Sequence, residues 1–197
     1  MPNKMAINII KNEIHALHGL LQTIDEKFDK AIDMINSCLS KVVILGVGKS
    51  GHIGKKIAAT MSSLGTPTFF VHMCEGIHGD LGMISADDVC IIFSYSGETE
   101  EILPTIQSIR QIGPQIIGIS GNPESTLAKE CVVHLDICVR SEADPMGLAP
   151  TSSSTAMLVL GNALAVSLAQ KKGFNEVDFK NIHPGCNLGK QLKNDKL

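Results

Sequence analysis

Two clusters of hydroxyl, glycine and lysine residues hold most of the reactive chemistry in this sequence. The first is Ser94-Tyr95-Ser96-Gly97-Glu98-Thr99, which follows the apolar run Val89–Phe93 and leads into a helical pattern from about Glu98 to Ile112. Hydroxyls therefore converge where a strand ends and a helix begins. The first-turn N–H groups of a helix lack partners inside it, and the helix dipole adds partial positive charge there. With side-chain O–H donors and a glycine for close approach, such a loop suits a phosphate group. Taken alone, the same residues also read as an ordinary N-cap with two spare serines.

The second cluster is Gly46-Val47-Gly48-Lys49-Ser50-Gly51, after the apolar run Val42–Leu45 and before a helical pattern from about His52 to Leu64. A Walker A loop needs a glycine where Val43 stands. The dinucleotide pattern G-x-G-x-x-G fits Gly46, Gly48 and Gly51, but it wants an acid at the end of the next strand. That strand reads Thr68-Phe69-Phe70-Val71-His72 and has none. A sugar-phosphate site, with Lys49 and Ser50 at its mouth, fits both loops.

The elements that must position these loops alternate. Ile7, Ile10, Ile14, Leu17, Leu21 and Ile24 recur at helical spacing, as do Phe28, Ile32, Ile35 and Leu39. Strands are expected at 42–46, 68–72, 88–94, 115–120 and 132–139. Helices are expected at 52–64, 98–112, from Asn122 to about Glu130, and from Thr151 to about Lys171; 73–87 reads as irregular. This order predicts an α/β fold: a three-layer, doubly wound, five-stranded, mostly parallel sheet with helices on both faces. Ligands in such sheets sit at the carboxyl ends of the strands. We divide the single domain, 1–197, into an N-terminal helical pair (1–40), an α/β core (41–172) and a C-terminal segment (173–197).

Composition agrees with a globular core: 197 residues, 44% hydrophobic, 19% charged, net charge -3. No basic run invites nucleic acid. No apolar stretch approaches 18 residues and no signal layout opens the chain, so a cytoplasmic protein without membrane contact is expected. The six cysteines form no C-x-x-C pair, and most fall in apolar segments, which favours buried thiols over disulfides or zinc.

The two loops together resemble those of the sugar isomerase (SIS) superfamily. Within it, the D-arabinose 5-phosphate isomerase family is resembled by three further stretches. These are Val71-His72 with Glu75-x-x-His78-Gly79-Asp80-Leu81-Gly82-Met83, then Gly147-Leu148-Ala149-Pro150-Thr151-Ser152-Ser153, and finally His183-Pro184-Gly185. The resemblance runs from about residue 5 to 192. It implies interconversion of D-ribulose 5-phosphate and D-arabinose 5-phosphate, feeding synthesis of Kdo for lipopolysaccharide or capsule. Many members carry a tandem pair of CBS modules, and the chain is expected to be a short form without them. Where the family reads His-Pro-Gly-Glu and His-Pro-Gly-Gly, this sequence has His72-Met73-Cys74-Glu75 and His183-Pro184-Gly185-Cys186. A non-catalytic, phosphosugar-sensing SIS module is the alternative.

An aldose-ketose isomerisation moves a proton between C1 and C2 through an enediol. It needs a base at carbon, proton exchange at the oxygens and a fixed phosphate. The resemblance implies Lys49, Glu101, Glu142 and His183 as catalytic, with Lys49 countering enediolate charge and Glu142 or His183 moving the carbon-bound proton. It places Ser50, His78, Ser94, Ser96 and Thr99 at the substrate. Each also has a plain reading: an acidic first helical turn for Glu101, a solvated loop for Glu142, a turn histidine for His183. His15 and His134 stand outside any motif. His72 is the expected metal contact, with zinc adventitious or inhibitory and no cofactor required. A homotetramer is expected, His183 reaching a neighbour's pocket, with CMP-Kdo as a feedback inhibitor.

Overall fold

Four parallel pairings join five short strands into one sheet of order β2-β1-β3-β4-β5. The strands are β1 (Val42–Gly46), β2 (Thr68–His72), β3 (Val89–Phe93), β4 (Gln115–Ser120) and β5 (Val133–Asp136). The structure, a computed structural model, describes residues 3–185. Every residue of β1 and β3 is buried, because helices cover both faces of the sheet. Side chains alternate between those faces. Val42, Ile44, Val89, Ile91 and Phe93 join one core, and Val43, Leu45, Cys90 and Ile92 join the other.

The first core is closed by α1 (Lys4–Leu21), α2 (Glu26–Asn36), α3 (Gly48–Ser63) and α7 (Ser152–Lys171). The second is closed by α5 (Ile102–Ile112) and α6 (Thr126–Glu130), together with residues 73–84. That stretch, expected to be irregular, holds α4 (Met73–Gly76) and a 3-10 turn at Asp80–Met83. The last described helix is α8 (Glu176–Ile182). Cys186 and the C-terminal segment beyond Gly185 lie outside the described residues.

Helix α6 begins at Thr126 rather than Asn122, and three other boundaries differ from expectation. Helix α3 begins at Gly48 rather than His52, so Lys49 and Ser50 form its first turn. Helix α5 begins at Ile102 rather than Glu98, because the Glu98 carboxylate turns away to accept the N–H of Thr126 at 2.6 Å. Strand β5 stops at Asp136, whose carboxylate takes the N–H of Cys138 while Cys138 adopts φ 49.

Ridge contact between α3 and α7 fixes the geometry of the site. A Cβ on Gly161 would lie 2.5 Å from Ile57, so the two helices approach as closely as a glycine allows. Lys172 after α7 donates to Thr66 after α3 at 3.1 Å. Mid-points and C-terminal ends therefore meet, the helices run parallel, and both N-termini face the carboxyl edge of the sheet. Helix α7 is long and apolar enough to span a membrane, but 56% of its apolar window is buried as a core element.

The apolar stripe of α1 is largely exposed at Ile7, Ile10, Ile14 and Leu21, and only Ala16 and Leu20 of that helix are buried. The expectation of buried thiols is corrected in part. Of the described cysteines only Cys90 is fully buried, and burial pushes its thiol up to about 12; Cys38, Cys74, Cys131 and Cys138 are partly exposed.

Candidate active site

Strand register aligns Gly46 with His72 and Phe93, Phe93 with Ile119, and Ile119 with Leu135. All five strands thus finish along one edge. From β1 the chain crosses to β2 on one side, and from β3 it crosses to β4 on the other. The helices leave opposite faces at that point and open a crevice. Both hydroxyl-rich loops lie there.

The loop after β3 is held by its own hydrogen bonds. Ser94, 3% exposed, accepts the N–H of Gly97 at 3.1 Å and shares a hydrogen bond of 2.9 Å with the hydroxyl of Thr99. Ser96, which is exposed, accepts the N–H of Glu98 at 3.1 Å. Gly97 has φ 67, and a Cβ there would lie 2.2 Å from the Ser125 hydroxyl, so only glycine fits. The sole tyrosine, Tyr95, reaches outward and donates to the carbonyl of Val139 at 3.2 Å. It ties this loop to the segment before Glu142.

The loop after β1 is shaped by close packing. A Cβ on Gly46 would lie 3.1 Å from the Gly51 backbone, and one on Gly51 would lie 3.0 Å from the Gly46 carbonyl. These glycines seat α3 on the sheet. Gly48, with φ 57, turns the chain into the helix. Lys49 is exposed at that helix start, where the dipole disfavours a cation, so packing alone gives it no reason to be there. Ser50 is half-buried beside it. A cleft of ≈ 380 Å³ runs from Gly48, Gly51, His52 and Lys55 to Phe70, His72, Glu75 and Asp80. His78 is exposed on the turn leading to Gly79, which has φ 131.

Glu101 occupies the N-cap position of α5, yet its carboxylate caps no backbone N–H. It meets the thiol of Cys74 instead, with Sγ 3.6 Å from Oε1. Cys74 follows β2 and Glu101 follows β3, so this contact arches over the end of β1, the strand that leads to Lys49. Burial pushes the Cys74 thiol up, and the Glu101 charge adds to it, so the thiol is neutral and able to donate.

Glu142 is half-buried and engaged through one carboxylate oxygen. Its Oε2 accepts the N–H of Thr151 at 2.8 Å, the hydroxyl of Thr151 at 3.1 Å and the N–H of Ser153 at 3.1 Å. Burial alone would raise its pKa, but hydrogen bonds from Ser153 and Thr151 outweigh that and hold it below the usual carboxylate value. It is the anion that caps α7, at the same edge as Lys49.

His183 stands apart from the other three. Its Nε2 pairs with the Ser63 hydroxyl at 3.0 Å, its Nδ1 with the Phe179 carbonyl at 2.8 Å, and its ring stacks on Phe179 at 3.9 Å. Ser63 is the last residue of α3. At ~1.5 Å per residue, that helix sets Ser63 about 21 Å from Lys49. One chain therefore brings Lys49, Glu101 and Glu142 to one edge and leaves His183 at the other.

His72 and Glu75 line the same cleft, but among the described residues no three His, Cys, Asp or Glu side chains gather to hold a metal ion. The residues present do not fit a closed zinc site. His134 and His15, set aside as outside any motif, have plain surroundings. His134 pairs with the buried Ser120 hydroxyl at 2.8 Å, and His15 lines a shallow groove beside α1. Sequence reasoning passed over the roles of Cys74, Tyr95 and Thr151, although the departure at Cys74 and the lone tyrosine were visible signals.

The SIS domain model matches residues 35–167. Arabinose 5-phosphate isomerase KdsD of Pseudomonas aeruginosa is 50% identical over 180 residues, covering 91% of this chain and 55% of that protein. KdsD of Yersinia pestis is 50% identical over 184 residues, covering 93% and 56%. The chain thus spans about half the length of the curated relatives it matches. An Escherichia coli CFT073 protein solved in complex with arabinose 5-phosphate superposes with a TM-score of 0.85 at 46% identity, covering 93% of this chain and all of that one. The chain belongs to the SIS domain family.

Proposed function

We propose that this chain is an aldose-ketose isomerase that interconverts D-ribulose 5-phosphate and D-arabinose 5-phosphate through an enediol. The observation that carries the reading is the switch-point crevice. A hydroxyl-rich loop after β3 and a lysine-bearing turn after β1 stand at the carboxyl ends of two neighbouring strands, and the Glu101 carboxylate reaches from the β3 side to Cys74 after β2. Similarity to proteins named arabinose 5-phosphate isomerase, and to one solved with arabinose 5-phosphate, supports the substrate class.

In this reading Ser50, Ser94, Ser96 and Thr99 form the phosphate site, and His78 meets the sugar. Lys49 offsets negative charge on the enediolate. Glu101 exchanges a proton with the substrate oxygens. His183 of a neighbouring copy takes the proton from one carbon and returns it to the other, while Glu142 fixes the loop facing the cradle. Lys49 supplies the cation, so in this reading no metal is required, and any zinc contact at His72 is adventitious or inhibitory. The exposed apolar stripe of α1 supports association, and we take the assembly to be a homotetramer. The enzyme acts in the cytoplasm and feeds Kdo formation for lipopolysaccharide or capsule. CMP-Kdo, an anionic end product, competes for the same cradle.

The test is incubation with ribulose 5-phosphate in the absence of nicotinamide. An aldose 5-phosphate product is expected. Tight binding without product would overturn the enzyme reading in favour of a phosphosugar sensor.

A further inference from the structure

The Cys74 thiol stands where packing does not ask for one. Its neighbours Met73 and Gly76 are buried and anchor α4 to the sheet, whereas Cys74 is partly exposed. Its sulfur lies 3.6 Å from Oε1 of Glu101. Glu101 in turn makes no capping bond to its own helix, so α5 does not by itself fix the direction of the carboxylate. The contact joins residues 27 positions apart and spans the end of β1. Two loops whose following elements already share one core are thereby also linked through side chains at the end of β1, the strand that leads to Lys49.

We propose that Cys74 is the positioning residue for Glu101 in the isomerisation proposed above, its S–H engaging Oε1 so that Oε2 is left to exchange a proton with the substrate oxygens. A thiol suits this task. It is a weak donor, so it orients the carboxylate without pairing its charge. A lysine there would form an ion pair and take that charge away from the substrate. A glycine, which the resembling family carries at this position, would leave the carboxylate to be held by other means. The inference rests on the proposed function, and its test has one arm that needs no turnover.

In the first arm, initial rates with ribulose 5-phosphate are compared for the unmodified sequence, Cys74→Ala and Cys74→Ser. A lost thiol bond predicts kcat lower by about threefold to tenfold in Cys74→Ala, with KM within about twofold. Serine, which restores a donor, should recover at least half of the loss. In the second arm, iodoacetamide labelling of Cys74 is followed at one pH by peptide mass spectrometry, with and without Glu101→Gln. Removing the facing negative charge should speed labelling by about threefold or more. Inertness of the unmodified sequence toward ribulose 5-phosphate overturns the functional reading. Normal turnover with an unchanged kcat in Cys74→Ala, or labelling that ignores Glu101→Gln, overturns the positioning role.

Discussion

Glu142→Gln separates two roles that the sequence alone leaves entangled. As a base at carbon, Glu142 would be lost to catalysis and leave the fold unchanged. As the anion that caps α7, it would be lost to stability first. Oε2 collects two backbone N–H groups and one hydroxyl. Glutamine keeps the shape and an accepting oxygen but loses the charge. A hydrogen bond to a charged group contributes roughly 1.5–3 kcal/mol against roughly 0.5–1.5 for a neutral one, so two backbone bonds lose about 2 kcal/mol together. The helix dipole adds about 0.3–1 kcal/mol. Solvent screening at this half-buried position reduces the sum to about 1–2 kcal/mol. For a chain of this length that lowers Tm by about 3–6 °C. The pH dependence supplies the check. The pKa of Glu142 is depressed on folding, so its contribution is present above the unfolded carboxylate value near 4.3 and fades as pH falls below it. Urea unfolding of both proteins should show a gap at pH 7 that narrows toward pH 3. A variant with unchanged stability at pH 7 and kcat reduced by orders of magnitude would refute the capping argument and make Glu142 the base.

Three further outcomes follow from the same geometry. Ser94→Ala combined with Ser96→Ala should raise KM on the order of 100-fold with the fold intact, since each removes a donor or its support; a KM within threefold of the starting value removes the loop from the site. Asp88 lies at the amino edge, far from the crevice, and is buried against Lys41 at 2.8 Å. Burial would raise its pKa, but hydrogen bonds from Lys41, Ser85 and Ser40 bring it to about 2. Asp88→Asn should therefore cost about 2 kcal/mol at neutral pH, and the difference should vanish as pH falls from 4 toward 2, with kcat unaffected; a pH-independent loss in urea melts would count against the ion pair. Gly161→Ala drives a methyl into Ile57 and should cost about 1–3 kcal/mol, partly relieved by Ile57→Val, as thermal unfolding of the single and double variants will show.

The strands were legible because a sheet covered on both faces leaves continuous apolar runs, and Val42–Leu45 and Val89–Phe93 are such runs. The helix starts were less so. Gly48 disfavours a helix by propensity, but the close seat of Gly46 on Gly51 brings the first turn forward. The stripe on α1 has the period of a buried face, yet periodicity records only that a face is apolar, not whether this chain covers it. Within the site, both loops could be read locally because each is contiguous. The Cys74–Glu101 contact could not, since it exists only because β1 lies between β2 and β3. The capping role of Glu142 depends likewise on a turn that returns Thr151 to it. His183 carries a recognisable motif, but its distance from Lys49 follows from the length of α3.

The hydroxyls of the cradle do not contribute alike. Ser94 accepts the N–H of Gly97 and shares a hydrogen bond with Thr99 in which either hydroxyl can donate. With Ser94 as the donor, the bonds run in one direction, from the Gly97 amide to Ser94 and from Ser94 to Thr99, and the proton of Thr99 points onward. Each bond polarises the next, so Thr99 is a stronger donor than an isolated hydroxyl. Ser96 reaches the same condition by a shorter route, its oxygen engaged by the Glu98 amide and its proton free. Under the proposed function, the phosphate meets the hydroxyls of Ser96 and Thr99 first, and buried Ser94 supports them from behind. Because these orientations are set during folding, binding a phosphate incurs little ordering cost in this loop. The arrangement also explains why Gly97 admits no substitute: a side chain there would strike Ser125 and pull away the amide that starts the chain of bonds.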